Sequence, residues 1–299
     1  MIGKPAGRHK VLCLGRTYCD IIFTGLQDMP VLGRERFAED VAIAAGGGAY
    51  ITAAHLSSLG RPAALLTRLG TDSLSRSLDP ELEASGIDLS FIERSEDAGP
   101  QPTVALSKGG ERAFISRRAG TSRPATLERA LSASDIAHLH IAEFATLRDN
   151  PDVIALARDR GLTISLDPSW DDQLIRRDSD FFRLCEGIDI FLPNVEEGEA
   201  LTGETSDDMI LRRLSESYPL VVLKRGEQGA LACHGSTVAS AGARPVDVVD
   251  TTGAGDAFNA GFLHSWLGTS NLEASLAAGV EAGSLSVQSA GGAPPRRRD

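Results

Sequence analysis

Val248-Val249-Asp250-Thr251-Thr252-Gly253-Ala254-Gly255-Asp256-Ala257-Phe258 is the stretch on which the reading of this chain turns. An apolar strand runs through small residues into a long helical pattern over residues 254–267. Small residues let backbone N–H groups approach a ligand, and a helix N-terminus adds positive potential, so the segment is built to cradle an anion. Asp256 sits inside the cradle, where it reads either as a helix cap or as a base held beside a phosphate it would otherwise repel. Two other phosphate motifs are excluded. No G-x-x-x-x-G-K-[ST] occurs, and Phe258 stands where the third glycine of a dinucleotide fingerprint belongs.

The chain leading to this segment alternates apolar runs with helical patterns. Strands at residues 11–14, 63–66, 136–141, 162–166, 188–192 and 220–223 interleave with helices at 49–58, 73–85, 152–160, 207–217, 254–267 and 272–288, with hairpin-like segments from 224 to 238. This alternation predicts an α/β fold in which helices cover both faces of a mostly parallel sheet, with ligands at the carboxyl ends of the strands. Two stretches fall outside it: residues 36–43, and 103–106 paired with 113–117 across Lys108-Gly109-Gly110-Glu111. They predict a small sheet, either a flap over a cleft or an edge extension of the main sheet.

Composition sets the outer bounds. The 299 residues, 42% hydrophobic and 24% charged, describe a globular chain of one large domain or two of about 150 residues, burying roughly 75% of its extended surface. The 30 basic and 41 acidic residues leave a net charge of −11, which disfavours nucleic-acid binding and requires a local positive site for any anionic substrate. Cys13, Cys19, Cys185 and Cys233 form no C-x-x-C pair, which suits buried thiols in a reducing compartment. Residues 1–10 lack an apolar signal region, and residues 41–60, though uncharged, are broken by Gly46, Gly47, Gly48, Ser57 and Ser58. The expectation is a cytoplasmic protein without membrane contact. His138 and His140, two apart on a predicted strand and without H-E-x-x-H, read as structural. Pro294-Pro295-Arg296-Arg297-Arg298-Asp299 reads as a solvated end.

The run from Asp250 to Phe258, with Ala260-Gly261 following, resembles the C-terminal signature of the ribokinase-like (PfkB) carbohydrate kinases. Three further segments appear in the family's order: Asp20 after the first strand, the Gly46-Gly47 turn leading into a helix, and Pro193-Asn194-Val195-Glu196-Glu197 with Leu201-Thr202-Gly203. The resemblance spans about residues 10–292. It implies a ribokinase-like three-layer α/β/α sandwich forming a single kinase domain over residues 1–299, with a small β-sheet lid from about 34–45 and 101–118. It also implies ATP-dependent phosphorylation of an alcohol on a sugar or sugar-like molecule, with Gly253, Ala254 and Gly255 as anion hole and Asp256 as general base. A homodimer through the lid is a further implication.

Asn194 and Glu197, three apart at a strand-to-helix junction, can meet on one helical face and offer hard oxygens suited to Mg²⁺ held mostly through water. Taken alone the pair reads as an N-cap with a first-turn Glu; the resemblance implies the metal role. Lys224-Arg225-Gly226-Glu227-Gln228-Gly229 resembles the family's nucleotide-side turn. Lys224 or Arg225 would meet a phosphate there, Gly226 and Gly229 allow close approach, and Thr252 lies on the same side. Residues 278–292 match the segment where the family packs adenine and often binds a monovalent cation such as K⁺. On the acceptor side Asp20, Gly46 and Gly47 match, and Glu143 follows the strand at 136–141. Ile51 stands where many sugar kinases carry Asn and lacks its hydrogen bonds, which argues against ribose or fructose. Gly48 stands where phosphofructokinase-type members carry Lys, which argues against an already phosphorylated sugar. A nucleoside or vitamin-precursor kinase, or a non-catalytic binder of the same fold, are the alternatives.

Overall fold

Fourteen strands and eleven α-helices are found among the described residues of a computed structural model, namely 9–108, 111–169, 180–289 and 291–294. The strands are β1 (Lys10–Leu14), β2 (Tyr18–Thr24), β3 (Asp40–Gly46), β4 (Ala63–Leu66), β5 (Arg68–Leu69), β6 (Glu93–Arg94), β7 (Pro102–Lys108), β8 (Glu111–Ser116), β9 (Ile136–Ile141), β10 (Thr163–Leu166), β11 (Ile190–Phe191), β12 (Leu220–Lys224), β13 (Ala230–His234) and β14 (Thr237–Ala241). The helices are α1 (Gly48–Ser58), α2 (Ser73–Arg76), α3 (Asp79–Ala84), α4 (Leu127–Leu131), α5 (Phe144–Asp149), α6 (Val153–Asp159), α7 (Phe181–Leu184), α8 (Val195–Thr202), α9 (Asp207–Ser215), α10 (Ala254–Thr269) and α11 (Leu272–Ser286).

The main sheet has the order β14-β13-β12-β11-β10-β9-β1-β4. Every pairing from β12 to β4 is parallel, and the β12–β13 and β13–β14 pairings at the other edge are antiparallel. Strands buried on both faces need no polar alternation. In β1, Val11 and Cys13 join one core while Leu12 and Leu14 join the other, all fully buried. The first core is closed by α1, α10 and α11, the second by α5, α6 and α9. This is the expected α/β layering.

The small sheet has the order β3-β2-β7-β8. It is separate from the main sheet, which decides against an edge extension. Asp20 lies within β2, opposite Ala44 on β3 and Thr103 on β7. Two details differ from the sequence reading. The strand expected at 36–43 runs instead from Asp40 to Gly46. Its partner β2 ends at Thr24, just before Gly25 turns the chain at φ +75°, so pairing begins at Thr24 opposite Asp40. The helix expected at 73–85 is broken in two because Pro80 occupies the first turn of α3 and has no N–H to continue a helix through it. The Gly109-Gly110 turn and tail residues 295–299 lie outside the described residues.

All four cysteines are buried, and none forms a disulfide. His138 and His140 point into the sheet, where His138 bonds Thr163 and Ser165, and His140 bonds Ser165. Among the described residues no helix is long and apolar enough to cross a membrane.

Candidate active site

The quoted stretch folds as its small residues predict. Gly253 caps α10 with φ +71°, a left-handed backbone in which a side chain would be strained, and no side chain caps the helix. Its Cα also abuts Gly292, where a Cβ would come within 2.6 Å of the neighbouring Cα. The first amides of an α-helix lack intrahelical acceptors; Ala254 N turns back to the Thr251 carbonyl at 3.3 Å, and those of Gly255 and Asp256 are open to an anion, strengthened by the helix dipole. Asp250 shapes the turn from below: its carboxylate accepts from Thr252 N at 2.6 Å and Gly291 N at 2.9 Å.

Asp256 lies in the first turn of α10 and faces α1. A Cβ on Gly48 would stand 2.8 Å from its Oδ1, so the carboxylate rests on the bare backbone at the start of α1. Gly47, at φ +96°, is the N-cap of that helix, and a Cβ there would collide with the Arg16 carbonyl. Asp20 packs its carboxylate directly on Gly46. Residues 236 positions apart in sequence, Asp20 and Asp256, are thus gathered at one turn. Glu143 follows β9, and its Oε1 accepts from Thr146 Oγ1 at 2.7 Å and Arg16 N at 3.3 Å. Its charge is felt at both Asp256 and Tyr18.

The electrostatics are those of crowded carboxylates. Burial, with Asp167 next, pushes Asp256 up to about 7; Lys224 opposes the rise, and Glu197 and Glu143 add to it. Burial and the charges of Glu81 and Asp250 push Asp20 up to about 7 as well. Lys224, at the end of β12, is the cation of the group. Its Nζ bonds Asp167 Oδ2 at 2.5 Å, the oxygen that also accepts from Asn259 Nδ2 at 2.5 Å. Burial alone would lower the proton affinity of Lys224, but Asp167 and Glu197 raise it on balance, so the ammonium is retained. It lies under the anion cradle, 3.5 Å from where a Cβ on Gly255 would be.

Asn194 and Glu197 form a capping box at the start of α8: Asn194 Oδ1 accepts from Glu197 N and Glu197 Oε2 from Asn194 N, each at 2.8 Å. Burial and Asp167 push Glu197 up to about 7. Among the described residues no group of three His, Cys, Asp or Glu could cage a metal. Oxygens occupied in this way, beside an acidic cluster sharing one Lys224, fit a hard divalent ion held largely through water.

Beyond Lys224 opens a cavity of about 750 Å³, within the size range of small-molecule sites. Gly226, Gly229, Val246, Gly255, Phe258 and Val280 are among the residues that line it. Thr251 lines it, whereas Thr252, drawn back onto Asp250, does not. Arg225 is turned outward to Asp207 and Gln228.

Sequence reasoning missed several members of this site. Asp167 follows the apolar run at 162–166, and the rule that ligands gather at strand ends singles out that position. Arg16 is buried and joins Gln101, the Ala119 and Gly120 carbonyls and Asp149, tying the small sheet to the body. Glu81 accepts from Ala45 N and Tyr50 Oη, fixing the approach to the Gly46-Gly47 turn. Tyr18, hydrogen-bonded to Arg118, is pushed up to about 12 by burial and Glu143. Contacts like these depend on tertiary placement and leave no local pattern.

A two-layered core, a mostly parallel sheet and a helix N-terminus at its carboxyl edge define an α/β protein of the kind that places small ligands at that edge. Residues 8–298 match the profile described as pfkB family carbohydrate kinase, and the chain belongs to that family. It is 30% identical over 266 residues to the 2-dehydro-3-deoxygluconokinase of Bacillus subtilis, covering 81% of each chain. The ribokinase of Arabidopsis thaliana, solved with ribose and ATP, superimposes with a TM-score of 0.81 at 23% identity over 97% of each chain. A putative ribokinase II of E. coli, solved with ATP and Mg²⁺, gives 0.80 at 21% identity, over 95% of this chain and 94% of its own. At these identities the two structures establish the ribokinase fold.

Proposed function

We propose that the chain transfers the terminal phosphoryl group of ATP to an alcohol of a sugar or sugar-like acceptor, and that residues 1–299 work as one kinase unit. The observation that carries the reading is the placement of Asp256: it lies at the mouth of a helix N-terminus, against Gly48, facing the turn that holds Asp20. A carboxylate pushed up to about 7 is basic enough to take a proton from a hydroxyl and is still about half ionised at neutral pH. Asp20, Gly46, Gly47 and Glu143 bind and orient the acceptor. Asp256 accepts the hydroxyl proton as the oxygen attacks phosphorus, and the amides around Gly253, Ala254 and Gly255 receive charge on the transferring group.

Lys224 adds positive charge beneath the cradle, and the cavity bounded by Gly226 and Gly229 receives the nucleoside. Asn194 and Glu197 would hold Mg²⁺ through water, where the ion would shield the phosphate charges. The segment 278–292 is the place for a monovalent cation such as K⁺. The small sheet acts as a lid that excludes water from the acceptor. The face of this sheet opposite Asp20 presents Ile43 and Ile115, 54% and 69% exposed and in register with Ile21 and Val104; a second copy of the chain covers it. Four buried cysteines outside any disulfide support a cytoplasmic setting.

The Bacillus relative makes a sugar acid the first acceptor to try. Ile51 is buried against Gly292 and offers no hydrogen bond to a hydroxyl. The test is a panel of sugar acids, hexoses, pentoses, nucleosides and vitamin precursors with Mg-ATP, scored for phosphorylated product. Transfer to a sugar or sugar acid supports the reading, and transfer to a nucleoside or vitamin precursor alone redirects it. Tight binding of a panel member without transfer identifies a non-catalytic relative.

A further inference from the structure

One face of α1 touches the site at successive turns. Gly48 meets the Asp256 carboxylate, Thr52 Oγ1 donates to the Asp256 carbonyl at 3.4 Å, and Ile51 Cδ1 packs on Gly292. One turn further, the buried His55 places Nε2 2.9 Å from the Gly292 carbonyl. A carbonyl can only accept, so the contact puts the ring proton on Nε2, and burial keeps the ring in its neutral form. Gly292 in turn presses on Gly253, and Gly291 donates to Asp250, the residue that shapes the 250–253 turn. The anion cradle therefore has a second support, reached from α1 through the 291–292 backbone.

We infer that His55 is a positioning residue for phosphoryl transfer: its Nε2–H holds the 291–292 backbone against Gly253 and so keeps the cradle amides aligned. It touches no substrate. The inference rests on the kinase reading above and extends it to a residue outside the family motifs identified in the sequence. Misplacement of a site by even about 1 Å costs up to about a hundredfold in rate, and loss of one brace is a smaller disturbance.

The test compares His55→Leu, which fills the volume without a donor, with His55→Gln, whose amide can donate to the same carbonyl. His55→Leu is expected to lower kcat by about tenfold with acceptor KM within about twofold, and His55→Gln to recover most of the loss. Hydrogen exchange gives a readout that needs no turnover. In His55→Leu the amides of residues 252–256 and 291–293 should exchange faster while those of β1 are unchanged. Unaltered exchange at the cradle overturns the inference whether or not the protein is a kinase. So does a loss of kcat that Gln fails to recover, or one that tracks a general loss of protection including β1. Failure of the wild-type protein to phosphorylate any acceptor overturns the kinase reading instead, leaving the exchange result to decide whether His55 braces the turn.

Discussion

As the proposed base, Asp256 faces two requirements that pull against each other. It would have to approach a phosphate closely and remain a base while doing so. The cradle amides and Lys224 permit the first, while burial and the carboxylates of Asp167 and Glu197 supply the second by raising its proton affinity. Asp256→Asn keeps the shape and removes the base, and is expected to lower kcat by about 10²- to 10⁴-fold in a coupled phosphotransfer assay; near-normal turnover would remove the assignment. With Asp256 at about 7, kcat/KM for the acceptor should rise with pH through about 7, because the base works only when deprotonated. Asp20 is also pushed up to about 7, so the profile should be repeated in Asp20→Asn, where a retained limb assigns it to Asp256. Gly48 makes the placement possible. A methyl group there would stand 2.8 Å from Asp256 Oδ1 and 3.2 Å from Ala142 Cβ, leaving the carboxylate to move. Gly48→Ala is expected to lower kcat by about tenfold or more without unfolding the protein, as checked by steady-state kinetics beside a melting curve.

At the scale of elements, the main sheet was legible because its strands are apolar on both faces and its helices long and periodic. The signature stretch was legible because its consecutive small residues at a helix start are a pattern that ordinary helices avoid. Less legible was β2. It carries Asp20 within Tyr18-Cys19-Asp20-Ile21-Ile22, and a charge inside an apolar run reads locally as a turn. Only pairing with β3 and β7 makes it a central strand of the small sheet. The start of β3 was similarly set by its partner. Asn194 and Glu197 illustrate the opposite case: the N-cap and first-turn Glu read from spacing are present, joined as a capping box, and the same two side chains are those proposed to hold water around an ion. Between the sheets, Arg16 is the joint that sequence did not reveal. Lysine cannot reproduce its fork of contacts to Gln101, Ala119, Gly120 and Asp149. Arg16→Lys should therefore loosen the small sheet and, if that sheet is the proposed lid, raise acceptor KM by about tenfold with a lesser effect on kcat. Equal loss in KM for ATP would place its effect elsewhere.

For the whole molecule, the net charge of −11 and the proposed anionic donor become compatible once positive potential is local. The same concentration of charge has a consequence for stability. Asp20, Asp256 and Glu197 are each pushed up to about 7 in the folded chain, against about 4 when unfolded. The folded state therefore binds more protons than the unfolded state between those values, and these groups make the fold less stable as pH rises through that window. Above about pH 7 the full cost is present; below about pH 4 it vanishes. Asp256→Asn removes one such charge and should stabilise the protein at pH 8 by on the order of 1–3 kcal/mol, with a smaller gain at pH 5. Denaturant unfolding of both proteins at the two pH values checks this. A variant no more stable than wild type at pH 8 would mean that Lys224 and solvent already compensate Asp256 in the folded state, and the raised proton affinity on which its role as a base depends would have to be abandoned. A stabilised but inactive Asp256→Asn would instead show that the carboxylate destabilises the fold at the place where the chemistry requires it.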